Sequence, residues 1–382
     1  MNPIPRSAYV HVPFCLHHCG YCDFTLVANR DQLIPEWLKC LKRELEHELA
    51  KLPRPVELDT LFLGGGTPTH LSIQHLQELF ELLADYFRFS PDSEISIEAN
   101  PDGLHSDKLL LLQQCGVNRI SLGVQSFQDP ELKLLERTHH AADAVAAVEL
   151  AARYISHVNI DLIFAVPGQS AQSWENSLLT ATALPLKHIS TYGLTWEQGT
   201  PFFRREQRGQ LKKTPEDLEC RMYLDAIQIL QNHGFEHYEV SNFSKPGARC
   251  RHNLVYWHAN EYFAFGPGAA RFVNGQRSTN CRSVPRWLKS WSKATPCLEP
   301  DEPAEAYDRA REAIMLGLRL REGFNLQNFR NRYGISIESL AGQALQRSLQ
   351  HGLAELHSGS LRLTQQGLLI ADSVIADFLA DD

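Results

Sequence analysis

Between residues 8 and 195, short apolar runs alternate with longer stretches whose apolar positions recur every three or four residues. The runs are YVHVPF, LDTLFLGGG, EISIEANP, RISLGVQSF, HVNIDLIFAVP and HISTYGLT, and they read as β-strands. Between them IPEWLKCLKRELEHELAKL (34–52), IQHLQELFELLADYF (73–87), SDKLLLLQQCG (106–116) and AADAVAAVELAARY (141–154) carry helical spacing. Six such units imply parallel strands joined by right-handed crossovers, an α/β arrangement that suits an open, partial (β/α)6 barrel. Chemistry in such a barrel gathers at the C-terminal ends of the strands. The unusual residues fall there: three cysteines after the first strand, GGGTP after the second, then Glu98, Gln125 and Asp161 on the third, fourth and fifth.

Beyond residue 200 the pattern changes. A helix over 215–233 leads into an aromatic- and glycine-rich segment, and a polar, Trp-containing stretch follows to about 300. From 303 the chain reads as helices, two short strands around a Ser-Gly turn, and a last helix, which resembles a small winged-helix module. The expected organisation is a barrel over 1–240, a connecting region over 241–300 and a mainly helical, winged-helix-like domain over 301–382. No basic recognition helix is visible, so this last domain is expected to pack as a lid on the barrel rather than to bind DNA.

Composition narrows the function. With 382 residues, 43% apolar and 21% charged, the chain has the profile of a globular protein. No apolar run approaches the roughly 18 residues of a membrane helix, and MNPIPRSAYVHV lacks the basic-then-apolar order of a secretory signal. The cytoplasm is the expected location. Nine cysteines in such a chain point to reduced, ligand-competent thiols rather than a disulfide framework. A net charge of -8 with no long basic run argues against a nucleic-acid partner.

Cys15, Cys19 and Cys22 form C-x3-C-x2-C. A structural zinc site closes with four ligands, and the fourth would have to come from His17, His18 or a distant residue. Three thiolates on a compact loop suit a 4Fe-4S cluster with one iron left open. This cysteine spacing, with an aromatic residue before the last cysteine and GGGTPT after the second strand, resembles the radical S-adenosylmethionine superfamily. The resemblance implies a 4Fe-4S cluster on the three cysteines and S-adenosyl-L-methionine on the open iron. Backbone N–H groups of Gly65, Gly66 and Thr67 would approach that ligand, Glu98 would take its ammonium, Arg137 would take its carboxylate as a fork, and Gln125 with Asp161 would bind the ribose hydroxyls. Taken singly, each has a plain alternative as a turn, a helix cap or a solvated surface residue.

The segments YVHVPFC, EANP, RISLGVQSFQD, VNIDLIFAVPGQ and STYGLTWEQGTPF are similar, over at least the first 270 residues, to the family of the oxygen-independent coproporphyrinogen III oxidase. By that resemblance Tyr9, Tyr21, Thr195 and Ala270 also line the S-adenosylmethionine site. The oxidase has a fourth cysteine where this chain has Phe24, and a longer segment before its first strand. Both departures are shared with the haem-chaperone branch of the family, which also carries H-N-x-x-Y-W. Residues 252–257 read HNLVYW. By spacing alone His252 and Asn253 would cap a loop, and Tyr256 and Trp257 would be core. The resemblance implies instead that His252 ligates haem iron, that Asn253 orients its imidazole, and that Tyr256 and Trp257 bury a porphyrin face beside Arg249, Arg251 and Arg271, which are suited to its propionates. The branch often has a histidine near the position of Arg271, so His258 and Cys250 stay open as axial ligands. The implied partners are haem and acceptor haemoproteins, membrane respiratory enzymes among them, with a homodimer as one assembly. The alternative is oxidative decarboxylation of coproporphyrinogen III.

Overall fold

The computed structural model describes residues 4–300 and 305–379, and its centre is one nine-stranded sheet. All six expected strands are present, parallel and adjacent in chain order: β1 (Ser7–Val12), β2 (Val56–Gly65), β3 (Phe87–Ala99), β4 (Arg119–Gln125), β5 (His157–Phe164) and β6 (His188–Gly193). Helices α1 (Ile34–Glu48), α2 (Ile73–Ala84), α3 (Ser106–Gln114), α4 (Ala141–Ala151) and α5 (Ala171–Ala183) cross between them. Local chemistry sets their ends and faces. In α1 a proline occupies the first turn, where its missing N–H costs nothing, and Trp37, Leu38, Leu41 and Leu45 fall on one buried stripe. The hydroxyl of Ser72 accepts the His75 N–H to begin α2.

The sheet runs past residue 240, where the sequence pattern placed a boundary. After α6 (Glu216–Asn232), strands β7 (Glu236–His237) and β8 (Asn242–Ser244) extend the β6 edge antiparallel, and β9 (Phe263–Phe265) pairs parallel with β1. These strands are two or three residues long, too short to show a period of two. Helix α7 (Arg251–Trp257) lies across the N-terminal ends of β3 and β4. Glu94 accepts the N–H groups of Arg251 and His252 at 3.0 and 2.9 Å, and Arg119 donates to the carbonyls of Ala248 and Arg249. Inside the barrel, where branched apolar side chains are usual, this protein buries Thr60, Ser96, Arg119, Asn159, His188 and Ser190.

Helix α8 (Val284–Trp291) packs on α1, with Arg43 donating to the Trp291 carbonyl. Cys281 and Cys297, on either side of it, form a disulfide with Cα atoms 5.6 Å apart. The expectation of reduced, ligand-competent thiols does not hold for this pair. The Cys281 N–H bonds the Cys297 carbonyl at 2.7 Å, a backbone pairing that brings the two side chains together and that a spacing of 16 does not announce. Cys15, Cys19 and Cys22 are among those left free.

The C-terminal domain runs α9 (Ala306–Gly317), strand β10 (Phe324–Asn325), α10 (Leu326–Tyr333), α11 (Ile337–Gln350), hairpin strands β11 (Ala354–His357) and β12 (Ser360–Leu363), and α12 (Ala371–Leu379). Ser358 and Gly359 both take positive φ at the hairpin tip, as a tight hairpin turn requires. The order of helices and wing is that of a winged helix. Its core is continuous with the barrel core.

Candidate functional site

A cavity of about 950 Å³ occupies the C-terminal ends of the strands. Cys15, Cys19 and Cys22 line it, together with Tyr21, Gly65, Gly66, Thr67, Glu98, Gln125, Arg137, Asp161 and Thr195, and residues 368–373 of the C-terminal domain close its outer side. The cysteine loop is pinned where Phe14–Cys15 pairs with Val27–Ala28 and where the Cys22 N–H bonds the Cys19 carbonyl. Burial pushes the Cys15 thiol up and that of Cys22 to about 12, so a bare thiolate is costly there. Among the described residues no three His, Cys, Asp or Glu side chains converge on one point. The sulfurs are solvated by the protein: Thr67 Oγ1 lies 3.2 Å from Cys15 Sγ, and Arg137 Nη1 donates to Cys19 Sγ at 3.7 Å.

The amides after β2 have another task than the one expected. Gly65 N–H donates to Glu98 Oε2 at 2.8 Å, Gly66 N–H to the Val12 carbonyl and Thr67 N–H to the Phe14 carbonyl. They join the cysteine loop to the barrel, and these residues face the cavity with other atoms. Gly65 is required because its φ is +114° and a Cβ would stand 2.5 Å from the His11 ring. Glu98 is half-buried, and desolvation, with a smaller push from Asp161, raises its carboxyl to about 7. Asp161, also raised by burial, accepts from Ser121 Oγ at 3.0 Å and Asn159 Nδ2 at 2.9 Å. The guanidinium of Arg137 is engaged on both terminal nitrogens, Nη2 donating to Asn100 Oδ1 at 2.6 Å and to the Gly123 carbonyl at 2.9 Å. The expected fork is therefore replaced by Nε, which is buried without a partner. That orphaned donor and the half-buried carboxyl of Glu98 fit an ammonium-carboxylate ligand beside the cysteines. Tyr9 and Ala270 lie apart from this cavity: Tyr9 OH bonds His11 Nδ1 at 3.0 Å, and Ala270 pairs with Thr279 in a separate hairpin.

Deeper in the barrel is a second cavity, of about 240 Å³. It shares Glu98, Ser121, Asp161 and Tyr192 with the first, and Tyr9, Phe62, Cys250, His252, Asn253 and Tyr256 form its far side. HNLVYW is helix α7, and it plugs the lumen instead of forming a shelf. His252 is 1% exposed, with Nδ1 2.8 Å from Thr60 Oγ1 and Nε2 2.7 Å from Tyr256 OH. Burial pushes its imidazole down to about 4, so the ring is neutral. Thr60 and Tyr256, not Asn253, orient it, and Phe62 stacks on it at 5.3 Å. The ring of Trp257 lies under Arg319. Cys250 Sγ donates to Glu94 Oε1 at 3.5 Å, while His258 is exposed at the far end of α7. The three arginines meant for propionates hold protein partners: Arg249 with Glu322, Arg251 with the Asp92 carbonyl, Arg271 with Glu48.

The sequence pattern of the radical SAM superfamily matches residues 9–181, and that of the HemN C-terminal domain matches residues 305–370. The heme chaperone HemW of Bacillus subtilis is 36% identical over 379 residues, which is 98% of this chain and 100% of that protein. The chain belongs to the HemW family. A more distant relative is the mitochondrial radical S-adenosyl methionine domain-containing protein 1 of Bos taurus, 32% identical over 99% of this chain and 89% of that one. The structure of the coproporphyrinogen III oxidase HemN from Escherichia coli superposes with a TM-score of 0.85 at 20% identity, covering 98% of this chain and 90% of that one. This chain and the oxidase thus share a fold. In this HemW-family chain, Asn100, Ser121, Asn159 and Glu136 also build the site, and none was singled out from the sequence. Asn100 stood in plain view in EANP. Glu136 gave no signal, because its role is to accept the Gly20 N–H at 2.9 Å across 116 residues of chain.

Proposed function

We propose that this protein is a haem chaperone that binds haem and passes it to acceptor haemoproteins, respiratory haem enzymes among them, from the cytoplasm. The full-length relationship to HemW of Bacillus subtilis carries this reading. Cys15, Cys19 and Cys22 would hold a 4Fe-4S cluster, with Glu98, Arg137 Nε, Gln125, Asp161, Tyr21 and Thr195 around S-adenosyl-L-methionine. The cluster supplies an open iron for the amino and carboxylate groups of that ligand. Haem is cargo, and His252 is the proposed axial ligand.

In the described conformation the inner cavity, at about 240 Å³, is below the roughly 300–1,000 Å³ of small-molecule pockets, and both His252 ring nitrogens are engaged. Haem capture at His252 therefore requires α7 to swing off the barrel end, which frees the imidazole and uncovers Tyr256 and Trp257 together. The test is anaerobic purification and reconstitution, followed by haem titration and a coproporphyrinogen decarboxylase assay on the same sample. Stoichiometric haem binding without protoporphyrinogen formation is expected. Decarboxylation at enzyme-like turnover would replace this reading with the oxidase one.

A further inference from the structure

Two sulfurs of the cysteine triad lie within hydrogen-bond distance of side chains, and both side chains are held by one residue. Asn100 Nδ2 donates to Thr67 Oγ1 at 3.0 Å, and Asn100 Oδ1 accepts from Arg137 Nη2 at 2.6 Å. Thr67 Oγ1 is 3.2 Å from Cys15 Sγ, and Arg137 Nη1 is 3.7 Å from Cys19 Sγ. A cysteine that ligates iron does so as thiolate and can only accept. The Thr67 hydroxyl must then donate to Cys15, and it is free to do so because the Asn100 amide fills its acceptor side. The other end of the same amide fixes the guanidinium whose second nitrogen reaches Cys19. The orientation of the amide is unambiguous, since an arginine can only donate.

We propose that Asn100 is a positioning residue that sets the reduction potential and the retention of the cluster by aiming Thr67 at Cys15 and Arg137 at Cys19. Hydrogen bonds to cluster sulfurs favour the reduced state, which carries one more negative charge. Asn100 does this without touching a sulfur, through a chain that runs Cys15, Thr67, Asn100, Arg137, Cys19. It sits at the end of β3, two residues beyond Glu98, so one strand end serves both the cluster and the ligand expected on its open iron. The inference rests on the reading that the triad holds a 4Fe-4S cluster.

The experiment first measures iron and sulfide in the anaerobically reconstituted wild-type chain; absence of both would defeat that underlying reading alone. Potentiometric titration followed by electron paramagnetic resonance then compares wild type with Asn100→Ala, Asn100→Asp and Thr67→Val. The midpoint potential is expected to fall in all three. Asn100→Asp should fall at least as far as Asn100→Ala, because the carboxylate draws the Thr67 proton away from Cys15 and adds a negative charge that opposes reduction. Cluster retention in Asn100→Ala should weaken by roughly 10–100-fold, the usual cost of losing a residue that orients metal ligands. If Asn100→Ala does not fold, Thr67→Val against Thr67→Ser decides, with only the valine expected to lower the potential. Loaded variants whose potential and resonance lines match wild type would overturn the proposal.

Discussion

Glu98 carries a carboxyl raised to about 7 by burial, and this has two opposite consequences over one pH window. Its folded value lies above the ordinary one of 4.5, so its contribution to stability is complete below pH 4.5 and is lost as pH rises through 7. Binding of an ammonium-bearing ligand needs the ionised form and so gains over that interval. Affinity for S-adenosylmethionine, measured calorimetrically on the reconstituted protein, is expected to fall about tenfold per pH unit below 7 and to be flat in Glu98→Gln. The buried ion pair of Arg119 with Glu94, at 3.1 Å and only 5% and 7% exposed, supplies a second prediction. Arg119→Met strands a charge that still faces two backbone amides, and urea unfolding should show a loss of about 3–5 kcal/mol. The double variant Arg119→Met with Glu94→Gln should recover much of it.

At the scale of elements, the six parallel strands were legible because each is long enough to show its apolar run and the first four are each followed by a stretch of helical spacing. The cysteine spacing announced its loop, and GGGTP its turn. What could not be read was direction. HNLVYW names residues suited to a porphyrin, yet whether His252 faces solvent or lumen depends on Glu94, 158 residues away, taking the α7 amides. The glycine run likewise spoke of close approach without saying that His11 and the Val12 and Phe14 carbonyls are what approach. Because Thr60 and Tyr256 hold His252 in place, Thr60→Val and Tyr256→Phe should each loosen it. The expected outcome is faster haem uptake in stopped-flow absorption at unchanged Soret position, whereas His252→Ala should shift the band. Unchanged uptake in both loosened variants would show that α7 is not the gate.

Across the whole molecule the barrel and the C-terminal domain share one core, and backbone bonds from Val240 to Arg319 and from Arg321 to Tyr238 stitch them together. Calorimetry is expected to show a single unfolding transition, and a chain ending near residue 300 should be insoluble, since the truncation exposes the barrel side of that core. The two cavities meet at Glu98, Ser121, Asp161 and Tyr192, and the shared wall has a thermodynamic corollary. Whatever factor an occupant of the outer chamber imposes on the release of His252 and thus on the affinity for haem, haem must return to that occupant unchanged. Loading and unloading of the cargo can then be followed from either end, by watching the nucleoside let go.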